Sequence, residues 1–156
     1  MNNYPIGVFD SGVGGLSILS QIHDLLPQET TMYVADTAYM PYGEKSDDQI
    51  VESAISIVSF FKEKNVKAVV VACNTATIAA IESLRQKFDL PIIGTVPVIK
   101  TIAQITKTGR VAVFSTSSAS KSEYMDNLIK KFASSVKVIK VGESHLENLI
   151  EEGNID

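Results

Sequence analysis

The chain of 156 residues contains one cysteine, and its position is the first feature that suggests chemistry. Cys73 follows the apolar run KAVVVA (67–72) and opens a segment with helical character. A thiol at a helix N-terminus lies in the positive end of the helix dipole, so we expect a lowered pKa and a larger fraction of thiolate. A thiolate serves as a nucleophile or as a base. The alternative is that Cys73 is a small core residue, because buried cysteine is common.

A glycine-rich segment, DSGVGG (10–15), is the second candidate for chemistry. With the residues after it, GVGGLS (12–17) nearly fits the dinucleotide motif G-x-G-x-x-G, and Asp36 lies about where a ribose-binding acid would be. Ser17 replaces the last glycine, and Asp10 would repel a pyrophosphate. We therefore expect the glycines to let the backbone approach a small ligand, whose carboxylate the helix N-terminus would bind. A dinucleotide domain remains an alternative.

Two further segments offer ligand-binding groups. In DTAYMPYGEKS (36–46), Tyr42 and Gly43 are expected to present a hydroxyl and a backbone N–H to a ligand, although a loop without function explains this stretch nearly as well. Asn74 and Thr75 are good helix-capping residues and can also donate to an anionic substrate.

Apolar runs alternate with amphipathic segments along the whole chain, which predicts an α/β fold with a parallel sheet. Ligands bind beyond the carboxyl ends of the strands in such folds, and the first three strands end in the polar segments described above. The predicted strands are IGVF (6–9), MYVA (32–35), KAVVVA (67–72), PIIGTV (91–96), RVAVF (110–114) and VKVIKV (136–141).

The segment 47–64 is the clearest predicted helix, because its apolar residues recur at three- and four-residue steps. That spacing predicts a buried face formed by Ile50, Ala54, Ile57, Val58 and Phe61. Three serines have the spacing of a capping box to an acid or amide three positions later, namely Ser46 to Gln49, Ser120 to Glu123 and Ser144 to Glu147.

Composition and charge exclude several classes of function. The net charge is −4 and no Lys/Arg run exceeds two residues, so neither nucleic acid nor a membrane is an expected partner. No apolar run approaches the length of a membrane span, and no leader pattern opens the chain. One cysteine fits a reducing cytoplasm, and the two histidines give no metal-ligand spacing with it.

Four motifs in order, GVFDSGVGGLSIL, YVADTAYMPYGEKS, VVVACNTAT and GTVP, resemble the bacterial glutamate racemases. This resemblance implies two pseudo-symmetric, Rossmann-like α/β domains and a racemase that needs no cofactor. It further implies glutamate as substrate, D-glutamate supply for peptidoglycan, the cytoplasm as location, and a homodimer as one option. Two cysteines of the family flank the substrate, one as thiolate base and the other as thiol acid.

The resemblance also assigns roles to residues of this chain. Cys73 matches the first catalytic cysteine and Asp10 its acidic partner, and Asp36 matches an acid of less defined role. The matched substrate-binding positions are Asp10, Ser11, Tyr42, Gly43, Asn74, Thr75 and, in the weaker match beyond residue 110, Thr116. Glu151 matches a further supporting acid.

The part of the family pattern that supplies the second cysteine does not occur in these residues. We therefore expect a first domain at 1–97 and an incomplete second domain at 98–156, truncated relative to the family and inactive or impaired on its own. His23 and His145 are poor replacement acids and fit ordinary surface or packing positions better. Two alternatives remain open: a non-catalytic remnant that binds glutamate or a partner, and a one-face enzyme of the same superfamily with a single cysteine.

Overall fold

The computed structural model describes residues 3–143 and Gly153. The chain divides into two compact units, Met1–Thr95 and Val96–Asp156, while the division into domains at 97 and 98 stays a prediction. His145, Glu151 and the Ser144 to Glu147 capping box lie outside the described residues. Among the described helices, none combines the length and the apolar character that crossing a membrane requires.

The first unit is built on a four-stranded parallel sheet in the order β2-β1-β3-β4. All five residues of β1 are buried, as a strand with a partner on each edge and helices on its faces requires. All four predicted strands of this region are confirmed to within three residues at their ends. The strands are β1 (Ile6–Asp10), β2 (Thr31–Ala35), β3 (Ala68–Val71) and β4 (Ile92–Gly94).

The helix predicted at 47–64 forms as α2 (Asp47–Glu63), and its buried residues are the five that the periodicity selects. Its capping box is complete, because Ser46 Oγ accepts from Gln49 N and Gln49 Oε1 accepts from Ser46 N. The other helices of this unit are α1 (Gly15–Leu25), α3 (Asn74–Lys87) and a 3-10 helix (Tyr42–Glu44).

The second unit contains a parallel pair of strands, β5 (Arg110–Ser115) and β6 (Lys137–Gly142), which confirms the last two predicted strands. The helices of this unit in the described residues are α4 (Ile99–Ile105), α5 (Ser117–Lys121) and α6 (Glu123–Phe132).

The capping box predicted between Ser120 and Glu123 is wrong. Ser120 lies inside α5, where its Oγ donates to the Ser117 carbonyl at 3.0 Å. Ser122 is the N-cap of α6 instead, because its backbone is extended and its Oγ accepts from Met125 N at 3.1 Å. A break between two short helices moves the cap two residues along the chain.

Candidate active site

The three polar segments meet at one edge of the first sheet, because β2, β1 and β3 are adjacent and parallel. Pairing continues beyond the strands: Asp36 N donates to Asp10 O at 2.9 Å, and Ala72 N donates to Phe9 O at 2.7 Å. The sheet thus places Asp10, Asp36 and Cys73 at three neighbouring strand ends.

Asp10 is buried at the end of β1, and its carboxylate receives the amides of the glycine-rich loop. Its Oδ2 accepts from Gly12 N at 3.2 Å and from Gly15 N at 2.9 Å. These are the backbone donors that a bound pyrophosphate would use at a helix N-terminus, so the arrangement disfavours the dinucleotide alternative. A charge-assisted pair of this kind also fixes the carboxylate in one orientation.

The glycines of this loop were expected to admit a ligand, but Gly15 has a different role. A Cβ at Gly15 would lie 2.6 Å from Asp10 Cβ and 2.8 Å from Tyr33 Oη. A Cβ at Gly14 would meet only Asp10 Oδ2, at 3.6 Å, which is ordinary contact. The missing side chain at Gly15 therefore makes room for protein atoms and brings its amide within reach of Asp10.

Cys73 is the N-cap of α3 and is only 7% exposed. Its Sγ accepts from Ala76 N at 3.4 Å and lies 3.6 Å from Ser11 Oγ. The thiol thus takes the place that serine or aspartate occupies at most helix N-termini, and it faces the loop that follows β1.

The expectation of a lowered thiol pKa is wrong. Burial and, after it, the negative charge of Asp10 raise the pKa of Cys73 to about 11, although the Ala76 N–H and the Ser11 contacts lower it in part. Desolvation penalises the thiolate more than the helix N-terminus stabilises it. The thiol is therefore protonated at neutral pH in the chain as described.

Asn74 and Thr75 occupy the first two positions of α3, so neither is its cap. The cap is the preceding residue, Cys73, because the helix begins at Asn74, at least one residue earlier than a cap at Asn74 or Thr75 would require. Asn74 is exposed at the strand-end edge, whereas Thr75 is buried. Of the two side chains, the amide of Asn74 is the one open to solvent.

The Tyr42 hydroxyl was expected to face a ligand, and in the structure it is buried and hydrogen-bonded within the protein. The side chain is 1% exposed, and Oη donates to Asp36 Oδ2 at 2.6 Å. Ser53, on α2, donates its Oγ hydrogen to the same oxygen. Burial, and then the bond to Asp36, raises the pKa of Tyr42. Gly43 follows within the 3-10 helix, so this segment offers its main chain rather than the phenol.

The remaining predicted residues lie elsewhere. Thr116 belongs to the second unit, where it caps α5 by accepting from Ala119 N at 3.3 Å. His23 is exposed on α1 and its Nε2 lies 2.8 Å from Thr31 Oγ1, which suits a surface position. Among the residues that the structure describes, no three His, Cys, Asp or Glu side chains gather as metal ligands would.

Two side chains at this edge were missed by the sequence reasoning, Ser53 and Tyr33. Ser53 lies three residues after Ile50 and four before Ile57, so its place on the apolar stripe of α2 was a readable signal. Tyr33 donates its Oη hydrogen to Gly12 O at 3.0 Å, and no pattern in the sequence marks that contact.

A parallel α/β unit with a thiol and two carboxylates at adjacent strand ends has its polar groups where folds of this class bind small ligands. The chain belongs to the Asp/Glu/Hydantoin racemase family, whose model matches residues 6–156.

Proteins called glutamate racemase are similar to nearly the whole chain. That of Pseudomonas syringae pv. tomato is 44% identical over 152 residues, which is 97% of this chain and 55% of the relative. That of Deinococcus radiodurans is 43% identical over 154 residues, which is 97% of this chain and 53% of the relative. The chain thus spans about half the length of the curated relatives it matches.

Solved glutamate racemases share the fold. The Escherichia coli enzyme, solved with L-glutamate and the activator UDP-MurNAc-ala, is 40% identical with a TM-score of 0.87, over 94% of this chain and 56% of that one. The Francisella tularensis enzyme, solved with D-glutamate, is 31% identical with a TM-score of 0.85. The match covers 100% of this chain and 59% of that one. The predicted racemase-type α/β fold and the resemblance to glutamate racemases are confirmed.

Proposed function

We propose that residues 1–156 form one half of a glutamate racemase site, in which Cys73 exchanges a proton with the α-carbon of glutamate. The observation that carries this proposal is the position of the thiol. Cys73 lies at a strand end 3.6 Å from Ser11, at the edge where the Asp10 carboxylate is fixed, in a chain similar to glutamate racemases.

The proton transfer needs no cofactor. The thiolate sulfur takes the α-hydrogen as a proton, and the electron pair of the C–H bond stays on the substrate as a carbanion delocalised into its α-carboxylate. Return of a proton from the Cys73 thiol to the same face restores the original enantiomer. Inversion requires a second donor on the opposite face, and the single cysteine of these 156 residues supplies one face.

The raised pKa of Cys73 fits a role for the substrate in activating its own base. Asp10 contributes to the raised value, so a cation placed against Asp10 would lower the thiol pKa. The α-ammonium group of glutamate is such a cation. In this proposal Asp10 therefore binds the ammonium and couples substrate binding to thiolate formation.

The other matched residues bind the rest of the substrate in this proposal. Ser11 and Asn74 offer side-chain donors near Cys73, whereas Tyr42 and Gly43 contribute main chain. Thr75 and Thr116 are proposed as further substrate-binding positions, with Asp36 and Glu151 as supporting acids. The proposal extends to cytoplasmic D-glutamate supply for peptidoglycan by a homodimer.

Heavy water tests the half-site directly. The purified chain is incubated with L- or D-glutamate, and α-deuterium is followed by NMR together with optical rotation. We expect deuterium to enter one enantiomer without inversion, and the exchange to disappear in Cys73→Ser but not in Ser56→Ala, an exposed serine of α2.

The other outcomes are equally informative. Racemisation by these residues alone would overturn the half-site, because a second donor would then be present. Absence of exchange would overturn proton transfer by Cys73. If glutamate still bound in that case, a non-catalytic binding remnant would replace the proposal.

A further inference from the structure

The carboxylate of Asp36 joins three separate elements of the first unit. It follows β2, and its Oδ2 accepts from Tyr42 Oη at 2.6 Å and from Ser53 Oγ. The two hydroxyl oxygens lie 3.1 Å apart. The backbone of Asp36 is tied in turn to Asp10, whose carbonyl accepts from Asp36 N. One carboxylate oxygen of Asp36 therefore connects the end of β2, the 3-10 helix and α2 through hydrogen bonds.

The side chain held at this point belongs to an element that packs against the helix of the proposed catalytic thiol. The 3-10 helix Tyr42–Glu44 packs against α3, the helix that Cys73 caps. A negative charge on Cys73 would raise the pKa of Tyr42, as expected of neighbouring groups. The position of Tyr42 thus sets where the main chain of residues 42 and 43 lies beside the thiol.

Ser53 is half-buried on α2, beside the buried residues Ile50, Ala54 and Ile57. A hydroxyl at such a position is costly unless it is hydrogen-bonded, and a bond to a carboxylate is stronger than one to a neutral acceptor. An alanine would fill this helix position with better propensity and no polar group to satisfy. The serine at this position is therefore best explained by its hydrogen bonds to Asp36 and Tyr42.

We propose that Ser53 is a positioning residue: with Asp36 it clamps the Tyr42 side chain, and so holds the main chain of Tyr42 and Gly43 in place to bind glutamate beside Cys73. This inference rests on the proposed function and adds to it a residue outside the strand ends. Ser53 itself does not touch the reacting atoms.

Amide NMR tests the clamp without any ligand. In Ser53→Ala, the backbone amide resonances of Tyr42 and Gly43 are expected to shift, whereas Ser56→Ala, one turn along the same helix, leaves them unchanged. Ser53→Thr keeps the hydroxyl and should restore the wild-type positions. Shifts in Ser53→Ala confined to its own neighbours on α2 would overturn the clamp.

Protection of the single thiol tests the consequence for binding. Bound glutamate covers the Cys73 sulfur, so it should slow alkylation by iodoacetamide even though it increases the thiolate fraction. Ser53→Ala should raise the half-protecting concentration about tenfold, the scale expected for losing a bond to a charged group. Ser53→Thr and Ser56→Ala should protect like the wild type.

The two proposals fail differently in this experiment. Wild-type protection with an unchanged concentration dependence in Ser53→Ala overturns the positioning role and leaves the proposed function intact. No protection of the wild type by either enantiomer overturns the proposed function, and the amide shifts then still decide whether Ser53 clamps Tyr42.

Discussion

The hydroxyl of Ser11 lies 3.6 Å from the thiol of Cys73, although 62 residues separate the two in the chain. The contact exists because β1 and β3 are adjacent, so that the loop after one strand meets the helix start after the other. It places a hydroxyl beside a buried sulfur, where the Ser11 contacts lower the pKa of the thiol while burial and Asp10 raise it.

Removing the charge of Asp10 should lower the thiol pKa from its value of about 11, because that charge is the second cause of the increase after burial. The pH dependence of Cys73 alkylation measures this pKa, and the single cysteine makes the reading unambiguous. We expect an alkaline midpoint in the wild type and a lower one in Asp10→Asn. Asp24→Asn is the matched control: it also removes one negative charge, but at an exposed position of α1, and should leave the midpoint unchanged. Equal midpoints in all three proteins would refute the coupling.

Alkaline pH should destabilise the first unit through the same thiol. The pKa is 9.0 in the reference state and about 11 in the fold, so the folded chain holds more protons between these values and its stability falls as pH rises through them. A difference of two pKa units corresponds to a loss of about 2–3 kcal/mol in the free energy of unfolding. Urea unfolding followed by circular dichroism between pH 8 and 11 should show this loss in the wild type beyond that in Cys73→Ser, which has no thiol. If the free energies of unfolding of the two proteins fell in parallel as pH rises, the raised pKa of the buried thiol would be contradicted.

Gly15 should not tolerate a methyl group, whereas Gly14 should. Gly15→Ala places a Cβ within 2.6 Å of Asp10 Cβ, and overpacking of this kind costs about 1–3 kcal/mol. Gly14 has right-handed helical angles and no contact closer than 3.6 Å, so Gly14→Ala should change stability little. The free energy of unfolding in urea measures both. Equal effects would mean that the loop shifts to absorb the added atom.

The capping box of α2 offers a simpler test of local structure. Ser46→Ala removes the acceptor for Gln49 N and should cost about 1 kcal/mol in the free energy of unfolding. Ser56→Ala, whose hydroxyl donates only to the Glu52 carbonyl of the same helix, is the matched control and should cost less. A Ser46→Ala protein as stable as this control would show that water replaces the cap.

Local patterns predicted most of the first unit correctly. Period and capping chemistry are properties of neighbouring residues, so the α2 stripe and the Ser46 cap could be read directly from the sequence. The meeting of Asp10, Asp36 and Cys73 followed from one topological rule about parallel strands. The same rule does not state which atoms will face one another.

At the candidate site, the differences from expectation come mainly from burial, which depends on tertiary packing. A helix N-terminus is expected to lower the pKa of a thiol. The Cys73 sulfur, however, is buried and close to the charge of Asp10, and both effects raise its pKa. Tyr42 was expected to offer its hydroxyl to a ligand, whereas in the structure Asp36 and Ser53 hold that hydroxyl in hydrogen bonds. Gly15 was expected to bring its backbone close to a ligand, whereas its amide binds Asp10, and Asp10 and Tyr33 occupy the space of a side chain.

The central place of β1 ties the proposed chemistry to the slowest-opening part of the first unit. The amides of a buried strand paired on both edges exchange with solvent only through large openings, so β1 should be among the last segments to exchange in heavy water. Asp10 is its final residue. Variants that loosen this strand should therefore lose the proposed catalytic geometry together with the fold, and an engineer seeking altered substrates would do better to work on the loop at 36–46 than on the strand.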